Sequence, residues 1–173
     1  MESNDKDSHN NIYANKLDEI DFKLLEALQT DSSLTNQTLA EQVHISPPTC
    51  LRRVKRLQTA GLIDRQVALL NPDKLAAVVG HGLTAIVEIT LDRQGDEHQQ
   101  AFELRVAGDA AVQQCYRVSP GPDFVLVVHI ADMPRYLALA QRLFTSDANV
   151  RNVKAFFSTK RAKFEPKVLL TLD

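Results

Sequence analysis

Ile45-Ser46-Pro47-Pro48-Thr49-Cys50-Leu51-Arg52-Arg53-Val54-Lys55-Arg56-Leu57, followed by Gly61-Leu62-Ile63, reads as one short helix with a start, an apolar edge, a basic face and a stop. Ser46 fits the N-cap, where its hydroxyl can accept from a free amide of the first turn. Pro47 falls at the first helical position, where its missing N–H costs nothing. Leu51, Val54 and Leu57 recur at helical spacing and are expected to face a core. Thr49, Arg52, Arg53 and Arg56 fall on the other side, flanked by Pro48 and Lys55. A helix held by its back with several cations outward suits a DNA groove, because phosphates attract the charge and arginine can grip guanine. The expected DNA contacts are therefore Ser46, Pro48, Thr49, Arg52, Arg53 and Arg56, with Lys55 at a phosphate.

Basic runs are more often solvated helix faces, so the run needs context. Upstream, Thr35-Asn36-Gln37-Thr38-Leu39-Ala40-Glu41-Gln42-Val43 reads as a second short helix capped by Thr35, and only His44 and Ile45 separate it from Ser46. Helix, tight turn, basic helix is the helix-turn-helix pattern. His44 stands where a glycine is common. Before it, Leu17, Ile20, Leu24, Leu25 and Leu28 mark one face of a supporting helix, with Asp18, Glu19 and Asp21 in the first turn, where the helix dipole favours acids. After Gly61, alternation of Ile63, Arg65, Val67 and Leu69 predicts a strand, a candidate wing, over 62–70.

The chain has 173 residues, 44% of them hydrophobic, and a net charge of −2. That is room for one domain or two small ones, and it excludes a bulk polycation: any DNA-binding charge must be local. Cys50 and Cys115 are read as buried free thiols of a reducing compartment. No apolar run approaches membrane-spanning length and the N-terminus shows no signal-peptide pattern, so a cytoplasmic protein without a membrane partner is expected. The five histidines show no metal spacing, so neither metal nor cofactor is expected.

Composition divides the chain into a flexible tail at 1–16, a DNA-binding domain at 17–70, a linker at 71–82 in which Leu75 and Val78 allow a short helix, and a second domain at 83–173. In that domain strands are expected at 83–91, 112–119, 123–130, 150–160 and at 168–172, and helices at 96–106 (with Phe102, Leu104 and Val106) and 134–145 (with Leu137, Leu139, Ala140, Leu143 and Phe144). The order β-α-β-β-α-β is the ferredoxin-like arrangement, with helices on one face of an antiparallel sheet and the other face free. The fold class is α+β: a winged helix-turn-helix followed by a ferredoxin-like domain.

From about Leu17 to Leu170 the chain resembles the Lrp/AsnC (leucine-responsive regulatory protein / asparagine regulator) family of transcription factors. The resemblance is carried by Leu17-Asp18-Glu19-Ile20-Asp21, Ile45 to Leu57, Gly61-Leu62-Ile63, Ala68-Leu69-Leu70-Asn71-Pro72, Val87-Glu88-Ile89-Thr90-Leu91, Cys115-Tyr116-Arg117-Val118-Ser119, Asp123-Phe124 and Ala131-Asp132-Met133-Pro134-Arg135-Tyr136. It implies a regulator that binds double-stranded DNA, pairs through its sheets into dimers and assembles further, often to octamers. It also implies a small effector, usually an amino acid, bound between dimers. The matching effector positions are Gly121, Asp123, Met133, Phe156, Phe157 and Ser158. The loop Ser119-Pro120-Gly121-Pro122-Asp123 departs from the family pattern: Asp123 is in register, the glycine is displaced by one, an acid is missing and two prolines stiffen the backbone.

Asp123 reads equally as an ammonium partner and as a turn aspartate bonding backbone. Phe156 and Phe157 should point to opposite sheet faces, one into the core and the other toward an interface or pocket. Met133 at a helix start reads more readily as packing than as pocket lining. No nucleophile–base pair, phosphate-cradling loop or carboxylate dyad appears, so no catalytic residue is assigned. Two alternatives stand beside the regulator: a haem-pathway decarboxylase of the same fold, whose second-half histidines would serve a tetrapyrrole, and a metabolite-binding oligomer without DNA affinity.

Overall fold

In the computed structural model, which describes residues 17–170, the first unit is built from three helices: α1 (Glu19–Thr30), α2 (Asn36–Gln42) and α3 (Pro47–Thr59). Asp18 and Asp21 close a reciprocal capping box at the start of α1, each side chain accepting the other's backbone amide. Thr35 caps α2 as the sequence predicts, accepting from the Thr38 amide at 3.1 Å. The turn between α2 and α3 closes with two bonds, His44 N–H to the Glu41 carbonyl and Ile45 N–H to the Ala40 carbonyl. This is a Schellman stop, which needs a left-handed residue, and His44 supplies it at φ +57°. The stop after α3 is the same motif with Gly61 at φ +72°.

Leu24, Leu39, Ala40, Val43, Cys50 and Leu57 form the buried core of this unit, with Ile20, Leu28, Ile45, Val54 and Ile63 packed around them. Two sequence expectations change here. The inward edge of α3 is Cys50, Val54 and Leu57, whereas Leu51 is 47% exposed. The segment 62–70 forms no strand within the chain, and Val67, Leu69 and Leu70 are exposed. Its alternation supplies one half of a pairing, and no described residue of the chain supplies the other.

The second unit begins with α4 (Pro72–Val79), the short helix that Leu75 and Val78 allow within the expected linker, capped by Asn71, whose side chain accepts from the Lys74 amide. Strands β1 (Leu83–Leu91), β2 (Val112–Arg117), β3 (Phe124–Ile130) and β4 (Val150–Phe157) form one antiparallel sheet in the order β2-β3-β1-β4, as the ferredoxin-like reading requires. Helices α5 (Asp96–Ala107) and α6 (Met133–Ala140) cover one face, and α6 runs on into a wider π-helical turn at Gln141–Thr145. Ala85, Val87, Ile89 and Leu91 of β1 and Phe124, Leu126 and Val128 of β3 meet Phe102, Val106, Tyr136, Leu139, Leu143 and Phe144 in the core. Leu104 and Leu137 on these helices are 78% and 61% exposed. Each lies two residues from a buried neighbour, Phe102 and Leu139, which on a helix is the far side.

By chain contacts the described residues fall into two units, one running to Leu69 and joined by the segment from Phe164, the other Leu70–Lys163. The last strand expected at 168–172 is not formed over its described residues. Instead, the Gln29 side-chain amide accepts from Val168 N–H and donates to the Val168 carbonyl, both at 3.0 Å. That side chain offers the donor–acceptor pair a neighbouring strand would. Residues 171–172 and the tail at 1–16 lie outside the described residues.

Candidate nucleic-acid interface and effector site

Asp21 organises the basic helix. It lies on the apolar side of α1 and is fully buried, yet it is an acid and needs partners. Arg53 Nη1 donates to Asp21 Oδ1 at 2.9 Å, and Arg56 Nη2 donates to Asp21 Oδ2. Arg53 also grips both oxygens of Asp18, at 2.9 and 2.8 Å. Burial works against the Asp18 carboxylate, but the Asp21 backbone amide and the Arg53 guanidinium outweigh it and hold its pKa below the ordinary value. The same bonds, to Asp18 first and Asp21 second, raise the pKa of Arg53.

Two of the three arginines expected in the groove are thus turned toward α1. What α3 presents outward is the stripe Pro48, Leu51, Arg52 and Lys55, all exposed. Arg52 and Lys55 have neither ion pair nor side-chain hydrogen bond among the described residues. Ser46 sits at the N-cap as expected, but its hydroxyl pairs with Thr49 Oγ1 at 2.8 Å rather than with an amide. Pro47 and Pro48 occupy the first two helical positions and have no N–H to offer. Asn36 Nδ2 donates to the Pro47 carbonyl at 2.9 Å, tying the start of α2 to the start of α3. Asp21 and Asn36 had no part in the sequence-based site. Asp21 was legible, since Leu17, Asp21, Leu24 and Leu28 share one face of the helix and an acid in that row calls for a buried cation.

The expected effector residues separate into two groups within one chain. Gly121 and Asp123 precede β3, at the end where Phe124 faces Ile89. Met133, Phe157 and Ser158 belong to the opposite end, where Ile130 faces Leu83 and Phe157 faces Ala85. The length of β3 between them is roughly 20 Å at a strand's rise per residue. Asp123 is 8% exposed, and its Oδ2 accepts from the Leu91 amide at 2.7 Å and from Gln94 Nε2 at 3.4 Å. The backbone-ordering role is therefore filled. Gly121 is exposed at φ +126°. Phe157 packs edge-on against Tyr136, ring centroids 4.9 Å apart, while Phe156 lies on the open sheet face opposite Ile86. The expectation that one of the two is core is corrected, since they are 37% and 53% exposed. Met133 is 41% exposed at the first position of α6, and Ser158 N–H donates to the Thr84 carbonyl.

Cys50 and Cys115 are free thiols, and burial pushes the pKa of both up. Among the described residues no group of histidine, cysteine and acid side chains is arranged to hold a metal ion, and no helix is long and apolar enough to cross a membrane. His129 lies exposed on the open sheet face with Nδ1 3.2 Å from Thr84 Oγ1.

Residues 17–64 match the model of a winged helix-turn-helix DNA-binding domain, and residues 84–168 that of the Lrp/AsnC ligand-binding domain. The chain is 36% identical over 148 residues to the leucine-responsive regulatory protein of Rhizobium meliloti, spanning 86% of this chain and 92% of that one. It is also 36% identical to the DNA-binding transcriptional activator DecR of Escherichia coli, over 86% of this chain and 95% of the relative. Among solved structures it superposes on a transcriptional regulator of Neisseria meningitidis in complex with L-Met, with a TM-score of 0.77 and 28% identity over 89% of this chain and 97% of the other. An AsnC family regulator from Agrobacterium tumefaciens gives the same TM-score at 30% identity, covering 88% and 97%. With a three-helix unit that matches the one domain model, a four-stranded unit that matches the other, and 36% identity to these relatives over 86% of its length, the chain belongs to the Lrp/AsnC family of transcriptional regulators.

Proposed function

We propose that this regulator binds DNA as a homo-oligomer in the cytoplasm, reading the major groove with the outward stripe of α3, and that an amino acid held between copies modulates that binding. The observation that carries the DNA half is the division of labour on α3. Arg53 and Arg56 are held by Asp21, which leaves Arg52 and Lys55 to face a ligand. Pro48 and Thr49 line the entry to that face, and Ser46 steadies Thr49. Arg56, half-exposed beside Asp21, retains donors for a phosphate. The effector half rests on the separation of Gly121 and Asp123 from Met133, Phe157 and Ser158 along one sheet. A site using both groups must draw them from different copies. Phe156, with Ile86 and Tyr116, belongs to the open sheet face, which a second copy would cover. The L-Met complex of the Neisseria relative supports an amino-acid ligand. Catalysis is not part of this reading.

The test is a panel of the twenty amino acids in thermal-shift assays, followed by anisotropy titrations on duplexes recovered from genomic DNA. A ligand that binds only the folded state raises the midpoint. One or a few apolar or thioether amino acids are expected to do so and to change DNA affinity. If the protein retains no duplex above random sequence, the DNA half is wrong. If no amino acid moves either measurement, the effector half is wrong.

A further inference from the structure

The outward stripe of α3 contains a residue that no DNA-binding argument from sequence would select. Leu51 is 47% exposed in the first half of the helix, beside Arg52 and between Pro48 and Lys55. A single exposed leucine is ordinary on a protein surface. Its position is what matters. Pro48, Leu51, Arg52 and Lys55 stand at i, i+3, i+4 and i+7, so they form one continuous face. The opposite face is taken up by Cys50, Val54 and Leu57 in the core and by the arginines bound to Asp21. In helix-turn-helix proteins the N-terminal part of this helix meets the base edges. A face of one guanidinium next to one branched apolar side chain has two natural partners in the major groove. Arginine takes guanine O6 and N7, and an apolar group takes the thymine methyl.

We propose that Leu51 and Arg52 form a reading pair, Leu51 packing on a thymine 5-methyl and Arg52 bonding the guanine of the adjoining base pair. Leu51 is thereby a specificity residue and not a core residue, and each half-site carries a thymine and a guanine at neighbouring steps. Lys55, one turn further on, meets the backbone. The proposal rests on the DNA-binding reading above, and its test separates the two.

The experiment uses the full chain and the duplex that it selects from a randomised pool. Each thymine of a half-site is replaced in turn by uracil, which lacks only the methyl group. Each guanine is replaced by 7-deazaguanine, which lacks the N7 acceptor. One thymine is expected whose replacement weakens the wild type about threefold to fivefold, the scale of one buried methyl group. The same replacement should leave the affinity of Leu51→Ala unchanged. At the adjoining base pair, deazaguanine should weaken the wild type by about fivefold or more and leave Arg52→Ala unaffected. Because Leu51 is exposed, Leu51→Ala and Leu51→Gln should melt as the wild type does, and the uracil scan of the wild type stands without either variant. If the protein selects a sequence but every uracil replacement acts alike on wild type and Leu51→Ala, the reading pair is wrong. If Leu51→Ala instead lowers the oligomer mass with no thymine dependence, Leu51 belongs to a protein interface and the proposal falls. If no sequence is selected, the DNA-binding reading itself fails and takes the pair with it.

Discussion

Asp21 ties α3 to α1 through a single side chain. Its carboxylate is buried, and its charge is balanced by Arg53 and Arg56, which span from α3 to α1. Asp21→Ala should therefore cost about 2–4 kcal/mol, somewhat below the usual cost of orphaning a buried charge because Arg56 can turn to water. Urea titration followed by circular dichroism measures this. A loss below half a kcal/mol would show that the arginines hold their place unaided. Acid should loosen the same corner. The folded pKa of Asp18 lies below its unfolded value of 3.8, so its stabilising contribution is fully present above that value and is lost as pH falls through the folded pKa. Asp109 behaves alike in the second unit, where Arg142 bonds its carboxylate and holds its pKa down against burial. Melting midpoints are expected to hold from neutrality to about pH 4.5 and to fall steeply below the 3.8 of an unfolded aspartate.

At the scale of elements, the two helix stops of the DNA-binding unit are the same device with different residues. Gly61 adopts its positive φ at no steric cost, and a Cβ there would meet nothing within 4 Å. His44 adopts a similar angle with a side chain attached. His44→Gly should stabilise the protein by about 0.5–1 kcal/mol, the relief of left-handed strain less the entropy of glycine. Gly61→Ala should destabilise it by about 1 kcal/mol. Paired thermal melts check both signs, and a destabilising His44→Gly would mean that the imidazole contributes to the turn. The β1–β3 end makes a second case. Asp123→Ala removes the acceptor for the buried Leu91 amide and should cost about 1–3 kcal/mol. Asp123→Asn keeps an acceptor there and removes only the charge. Asn should thus preserve the melting point while weakening amino-acid binding by calorimetry. Undiminished binding by Asn would place the ammonium elsewhere.

For the whole molecule, the proposed assembly rests on the open sheet face. Ile86, Tyr116 and Phe156 lie exposed on it, with Val127 between strands that carry them, and Ile86 faces Phe156 directly across β1 and β4. Ile86, Val127 and Phe156 form one apolar row across three strands, the kind of exposed apolar group that suits an interaction surface. Ile86→Glu would place a charge at its centre. Light scattering is expected to return a dimer or larger species for the wild type and a smaller mass for Ile86→Glu. A wild type that stays monomeric at micromolar concentration would sink both the dimer and the shared effector site.

Much of this protein is written locally. Helix starts at Thr35 and Ser46, the stop at Gly61, and the βαββαβ order follow from caps, turn residues and hydrophobic period, which depend on neighbours in sequence alone. The helix-turn-helix was legible for the same reason. What the chain could not announce is which charges and apolar groups find partners across distance. Periodicity placed Leu51 inward and three arginines outward, because it weighs apolar character and not ion pairing. A buried aspartate 32 residues upstream of Arg53 pairs with Arg53 and Arg56 and holds that side of the helix to α1. Alternation at 62–70 predicted a strand, but a strand forms only where a second one lies alongside, and neighbours in sequence do not decide that. The effector residues were grouped by their matching positions in the family. The register of β3 with β1 puts Gly121 and Asp123 at one end of the sheet and Met133, Phe157 and Ser158 at the other, because a strand holds its two ends apart by its own length.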